Sequence, residues 1–222
     1  METPLPFGEA ALPAERHCAI FDTALGPFGI AWRGEAVTHV LLPLLDREAT
    51  IAELQWQSGA ELAPPPWPPF IAQAVAAMQS LLQGVAADLQ DVPLDWAGIG
   101  QFERKVYEAT RRIAPGQTCT YDELAQAMGN PGAARAVDVA LARNPWPLVV
   151  PCHRVVAGGG RLGGHSAAGG IATKKKMLEI EAAMASSASS ASSASSASSA
   201  SSASSASSAS SASGASSPRE PR

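Results

Sequence analysis

The fold class predicted from this sequence is an N-terminal α/β domain with a small antiparallel sheet, followed by a mainly α, helix-turn-helix domain. Three observations predict it. Short β-prone runs separated by glycine turns occupy the stretch before residue 44, a proline cluster interrupts the chain at residues 64–69, and helical periodicity broken by a Gly/Pro turn follows residue 100.

In the first part, Ala19 to Thr23, Phe28 to Arg33 and Val37 to Pro43 are divided by Gly26-Pro27 and Gly34-Glu35, and read as antiparallel strands. Pro64-Pro65-Pro66-Trp67-Pro68-Pro69 forbids both helix and central strand and marks a rigid connection. Beyond it Ile71, Val75, Met78, Leu81 and Leu82 recur at helical spacing, which predicts an amphipathic helix from Phe70 to Gln83. This part shows no chemistry. His17 and Cys18 lack further ligands at metal-binding spacing.

In the second part, Phe102, Val106, Ala109 and Ile113 share a face of a helix that stops before Pro115-Gly116. Thr120 with Glu123 three residues on is a capping box that opens a helix from Tyr121 to Met128. Gly129-Asn130-Pro131-Gly132 is a turn, and Ala133 to Arg143 forms the next helix. Helix, tight turn, helix is the pattern whose second helix lies on DNA, although helix hairpins in general share it. From Ala185 to Ser217 the chain is almost wholly Ala-Ser-Ser, with nothing large enough to offset the entropy of ordering, which predicts a disordered tail. The domains are therefore set at 1–98, 99–184 and 185–222.

Composition narrows the class. No window approaches the roughly 18 apolar residues of a membrane span, and the N-terminus lacks the basic and apolar regions of a signal peptide, so a soluble, cytoplasmic protein is expected. Cys18, Cys119 and Cys152 are odd in number and far apart, which suits free thiols rather than disulfides or a zinc site. The net charge of −4 hides an asymmetry: residues 1–100 carry −9 and residues 101–184 carry +4. A basic segment beside an acidic one suits a polyanionic partner, and it equally suits two ordinary solvated surfaces.

The chemistry concentrates at Pro151-Cys152-His153-Arg154-Val155, after the apolar run Leu148-Val149-Val150. A cysteine beside a histidine has a structural reading, a buried thiol with the ring pointing elsewhere, and a chemical one. A nucleophilic thiol needs a base or a positive charge, and His153 with Arg154 supplies both kinds of group. Neighbouring side chains on a strand face opposite ways, so direct activation requires a bend, which Pro151 makes plausible, or a bridging water.

Pro151-Cys152-His153-Arg154-Val155, preceded by Asn144-Pro145 and by Ala134-Arg135-Ala136-Val137, resembles the O6-alkylguanine-DNA alkyltransferases. The resemblance runs from about Phe102 to Glu181. Gly163-Gly164-His165-Ser166-Ala167-Ala168-Gly169-Gly170 followed by Ala172-Thr173-Lys174 is similar to the loop of the bacterial branch.

The resemblance implies a winged-helix-like alkyltransferase domain and a single-turnover DNA repair reaction. In it an alkyl group moves from guanine O6, or thymine O4, to Cys152 as a stable thioether. It implies that His153 deprotonates Cys152 through water, that Glu181 holds the histidine tautomer, and that Asn144 braces the active-site turn. Tyr121 acts on the damaged base or the adjacent phosphate. Arg135 fills the gap left by the flipped nucleotide, while Ala133, Ala134 and Ala136 let the helix approach the minor groove. Val155 and Ser166 complete the DNA- and base-binding set. No cofactor and no metal are implied. The partner is double-stranded DNA carrying alkylated bases, met by a monomer.

Three residues depart from the family's pattern. Asp138 stands where Gly is usual and would face phosphates, with Arg135 or Arg143 as candidate neutralising partners. His165 replaces an aromatic residue that lines the base pocket, and Trp146 reads as a packing change. The spacing Gly158-Gly159-Gly160-Arg161-Leu162-Gly163 matches a dinucleotide fingerprint, but no second strand follows it, so a loop over the pocket is the better reading. Two rival functions remain: a non-catalytic winged-helix binder of alkylated DNA that recruits other repair factors, and a Cys-His hydrolase, which would need an oxyanion hole and turnover.

Overall fold

The computed structural model describes residues 15–159, 161–164, 167 and 169–203, with side chains to residue 187. The chain comprises two units, Met1–Ala185 and Ser186–Arg222.

The first unit opens with three strands in hairpin succession, β1 (Arg16–Thr23), β2 (Gly26–Arg33) and β3 (Ala36–Leu41). They pair antiparallel, with Ala19 opposite Ile30 and Ile30 opposite Val40. Alternation decides the two faces. Ala19, Phe21, Phe28, Ile30 and Trp32 enter the large core, while Cys18 and Ala31 turn the other way. That second face is covered by α1 (Arg47–Ser58) through Leu54. The approach is close: a Cβ at Gly29 would lie 2.8 Å from Leu54 Cδ2, which only glycine permits.

α1 has no counterpart in the predicted elements. Its apolar stripe is weak, because Trp56 is exposed and Leu54 is its one large buried side chain, so its start is marked chiefly by Asp46, which accepts from Ala49 N at 2.7 Å. The helix returns the chain to β4 (Glu61–Leu62), which joins β1 in parallel, giving the order β3-β2-β1-β4. The sheet is therefore mixed rather than antiparallel throughout. Two residues just ahead of a proline cluster are too short to show strand periodicity.

α2 (Pro69–Leu82) begins at the end of the proline cluster, with Pro69 in its first turn, and buries Ile71, Ala74, Val75, Met78, Leu81 and Leu82. α3 (Gln101–Arg111) buries Val106 and Tyr107. α4 (Tyr121–Ala127) carries the expected capping box, and α5 (Ala134–Ala142) follows the turn at 129–132. The buried Tyr107 hydroxyl donates to Ala140 O at 2.9 Å and so ties α3 to α5. Just before α4, β5 (Cys119–Thr120) pairs in parallel with β6 (Val155–Val156), Cys119 opposite Val155.

The last helix, α6 (Gly170–Ala203), runs well into the Ala-Ser stretch, where the sequence predicts disorder from Ala185 onward. Alanine is the best helix former, and extending a helix that already exists avoids the cost of nucleation, so the last turns need no packing to be helical. The remainder of the tail, residues 204–222, lies outside the described residues. No described helix is long and apolar enough to cross a membrane.

Candidate active site

The β5–β6 pairing assembles the site. β6 follows Cys152 after two residues and β5 precedes Tyr121 directly, so their parallel register brings the start of α4 beside the cysteine turn. Cys152, His153 and Arg154 form a 3-10 turn rather than a strand, which supplies the bend that Pro151 suggested. The turn is braced from α5's end. Asn144 Nδ2 donates to Val150 O at 2.8 Å and Asn144 Oδ1 accepts from Trp146 N at 3.0 Å, and the same side chain opposes the upward push of burial on the Cys152 thiol. Leu148 sits at φ 74, a left-handed conformation costly for a branched side chain, and it is held there fully buried.

His153 is wholly buried, and its Nε2 lies 3.0 Å from Glu181 Oε1. Burial would raise the Glu181 carboxyl, but hydrogen bonds from His153 and Arg154, with the charges they bring, hold it down at about 2. An ionised carboxylate only accepts, so the shared proton sits on Nε2 and the lone pair on Nδ1. Nδ1 is buried with no hydrogen-bond partner among the described residues. Burial, only partly opposed by Glu181, lowers the His153 pKa, and burial raises that of Cys152 against the opposing effects of Asn144 and Lys174. The resting pair is thus a neutral thiol and a neutral imidazole.

Arg154 does not face the thiol, contrary to the role its place in the sequence suggests. Its Nε reaches both Glu181 oxygens at 3.1 Å, its Nη2 reaches Oε1 at 2.8 Å and its Nη1 reaches Ile113 O at 2.6 Å. It neutralises the buried carboxylate. The positive charge that acts on Cys152 comes instead from Lys174 on α6, a fully buried residue whose Nζ donates to Val155 O at 2.6 Å and to Gly164 O at 3.3 Å. The sequence reading missed Lys174 as a functional residue, although its spacing of seven from Glu181 places both on one side of a helix.

Tyr121 lies half-buried with Lys174 Nζ 6.0 Å from its ring centroid. A Cβ at Gly163, itself at φ +73, would lie 3.3 Å from Tyr121 Cε2, so the glycine lets the loop lie on the ring. Burial, with the nearby Asp138 charge adding to it, raises the Tyr121 phenol. Asp138 is exposed on α5, and its charge bears on Tyr121 from α4 and on Lys174 from α6.

Of the remaining candidates, Arg135 and Ala136 are exposed on α5, and Ala133 and Ala134 are half-buried at its start. The Val155 side chain is completely buried, so what it offers the site is its carbonyl to Lys174. Ser166 and His165 lie outside the described residues. Cys18 and Cys119 are free thiols. Burial raises both, Cys119 to about 11, which makes them poor nucleophiles. Cys152 opens on a cleft of about 740 Å³ that is also lined by His39, Trp56, Leu141, Asn144 and Pro147. Among the described residues no cluster of His, Cys, Asp or Glu is arranged to hold a metal ion.

Residues 101–183 match the family described as 6-O-methylguanine DNA methyltransferase, DNA binding domain. The chain is 34% identical over 167 residues to a methylated-DNA–protein-cysteine methyltransferase of Mycobacterium leprae, covering 74% of this chain and 92% of the relative. Among solved structures it is similar to Mycobacterium tuberculosis OGT in complex with DNA, with a TM-score of 0.62 at 31% identity over 76% of this chain and 94% of that one. It is also similar to an O6-methylguanine-DNA methyltransferase from Pyrococcus kodakaraensis, with a TM-score of 0.58 at 28% identity over 74% and 98% of the two chains.

Proposed function

The chain belongs to the methylated-DNA–protein-cysteine methyltransferases, and on that premise we propose that Cys152 is the alkyl acceptor, prepared by His153, Glu181 and Asn144. The protein binds DNA and repairs it by direct alkyl transfer. The lesion is an alkylated base in double-stranded DNA, O6-alkylguanine first, and the protein works as a monomer. The part from residue 99 to 184 is the winged-helix-like alkyltransferase domain, residues 1–98 form the α/β domain that buttresses it, and residues 185–222 are an appendage.

The observation that carries this reading is the state of His153. Its Nε2 is committed to Glu181 while its buried Nδ1 has no described protein partner. Nδ1 is then the acceptor for the thiol proton, relayed through a water. The thiolate attacks the alkyl carbon, a C–S bond forms as the C–O6 bond breaks, and the electron pair leaves with the base, which takes up a proton. Because the thiol and imidazole start neutral, the charged pair exists only as the reaction proceeds, stabilised by Lys174 and Glu181. Asn144 keeps the sulfur on line through the turn it braces.

On the DNA side, Tyr121 meets the extruded base and Arg135 takes its place in the stack, with Ala133, Ala134 and Ala136 allowing close approach. Val155, through its backbone, and Ser166 complete the base-binding set. The test is intact mass after incubation with an oligonucleotide holding one O6-methylguanine. One methyl mass per molecule, on the peptide containing Cys152, is expected; methyl on Cys18 or Cys119, or repeated turnover, would overturn the assignment.

A further inference from the structure

The carboxylate of Glu181 is shared, and His153 has the smaller part of it. Oε1 accepts from His153 Nε2 at 3.0 Å, but the same oxygen accepts from Arg154 Nη2 at 2.8 Å and from Arg154 Nε at 3.1 Å. Oε2 accepts from Arg154 Nε at 3.1 Å and from the backbone N–H of Gly116, also at 3.1 Å. Neither oxygen serves the histidine alone. Arg154 Nη1 donates to Ile113 O at 2.6 Å, so the guanidinium and the carboxylate are both tied to the turn after α3, and both are buried.

A guanidinium keeps its proton throughout the working pH range, so the charge of Glu181 is already cancelled before His153 takes up a proton. An unshared carboxylate would hold an imidazolium with a full opposite charge, and the neighbouring thiol would then rest as a thiolate. The groups that face His153 are Glu181 and Lys174 from α6, with Arg154 and Cys152 from its own turn. The thiol also faces Tyr107 of α3 and Tyr121 of α4. Both cations, Arg154 and Lys174, oppose a further positive charge on the ring, against one carboxylate that favours it. We propose that Arg154 is a positioning residue that sets the basicity of His153 through Glu181 and so keeps Cys152 a thiol at rest. The inference rests on the reading that His153 is the base for Cys152. The restraint suits a single-turnover protein: a thiolate present at all times would be spent on stray electrophiles, and a thioether cannot be undone.

Alkylation of Cys152 by iodoacetamide is followed against pH, by peptide mass and below the unfolding midpoint, for the native protein, Arg154→Gln, Arg154→Lys and His153→Ala. In Arg154→Gln the whole charge of Glu181 falls on His153, and the pH midpoint of alkylation moves down by about one unit, or about tenfold faster reaction on the acid side of the midpoint. Arg154→Lys keeps the charge and the native midpoint. Loss of packing alone would change the rate at every pH without moving the midpoint. An unmoved midpoint in Arg154→Gln therefore overturns the proposal, as does an equal shift in Arg154→Lys. Nitrogen NMR of the imidazole needs no variant: His153 of the native protein is neutral at about pH 6, and a protonated ring there overturns the proposal. A His153→Ala profile identical to the native one refutes His153 as the base, and the inference with it.

Discussion

The indole Nε1 of Trp146 donates to the carbonyl of Val37, 2.9 Å away across 109 residues of sequence. A second bond runs alongside it, from Val40 N to Pro145 O at 2.8 Å, so strand β3 grips the chain just ahead of the cysteine turn at two points. Trp146 also packs edge-on against Trp96 and Tyr107, with centroids 5.2 and 5.8 Å away. What reads in the sequence as a change of packing residue is a strut between the N-terminal sheet and the nucleophile's turn.

Trp146→Phe keeps an aromatic ring but removes the N–H and leaves a gap beside a fully packed core. Val37 O still accepts from Asp95 N, so the loss is one hydrogen bond and a cavity, about 2–3 kcal/mol together. The urea midpoint should fall accordingly. The transfer rate, measured below the unfolding transition, should fall with it, because the strut ends at the residues that Asn144 braces. Unchanged stability would mean that the sheet and turn are held by other contacts.

His153→Ala removes the proposed base and leaves Arg154 and Glu181 paired. Transfer should slow by roughly 10²-fold or more, with pH-dependent thiol alkylation showing slower reaction of Cys152 near neutrality. Glu181→Gln should slow transfer comparably and also destabilise the fold by about 3–5 kcal/mol, since Arg154 is then buried without its counter-charge. Equal rates in His153→Ala and the native protein would show that the thiol is activated by another group.

Acid titration isolates the same carboxylate. Its folded pKa of about 2 lies below the roughly 4.3 of an unfolded glutamate, so the unfolded chain binds the proton more readily. The stabilisation is complete above about pH 4.3 and is lost as pH falls toward 2, on the order of 3 kcal/mol in all. Chemical denaturation between pH 5 and 2.5 should show a steeper loss for the native protein than for Glu181→Gln. Parallel curves would assign the acid sensitivity to other groups.

Removing everything after Ser187 should leave melting temperature and transfer rate unchanged, since serine and alanine repeats have no large apolar surface to bury. A fall of several degrees would show that the Ala-Ser stretch contributes to stability.

The legible parts of this molecule were those specified by neighbours in sequence. The capping box of Thr120 and Glu123, the apolar stripe from Ile71 to Leu82 and the bend at Pro151 each depend on a few adjacent residues, and each stands where the sequence placed it. The histidine–glutamate pairing came from family resemblance and not from spacing. Hidden features are tertiary. Arg154 sits beside His153 in sequence yet serves a carboxylate 27 residues away, and Lys174 reaches Cys152 only because α6 packs behind β6. α1 was invisible because a helix that covers a sheet mainly through Leu54 shows little periodicity. The sequence of α5 alone cannot reveal that Asp138 lies near a tyrosine from α4.

Lys174, Met177 and Glu181 line one side of α6 at intervals of three and four residues, and all three are buried. Two chemically separate tasks, placing a cation near the sulfur and placing a carboxylate on the histidine, thus share a single helical register. Adding or deleting one codon between positions 174 and 181 would swing Glu181 about 100° around the helix axis relative to Lys174. Most surface substitutions in this helix should be heritable without penalty, whereas a one-residue insertion or deletion there would uncouple the two halves of the site at a stroke. Length, more than side-chain identity, is what descent has to preserve along this segment.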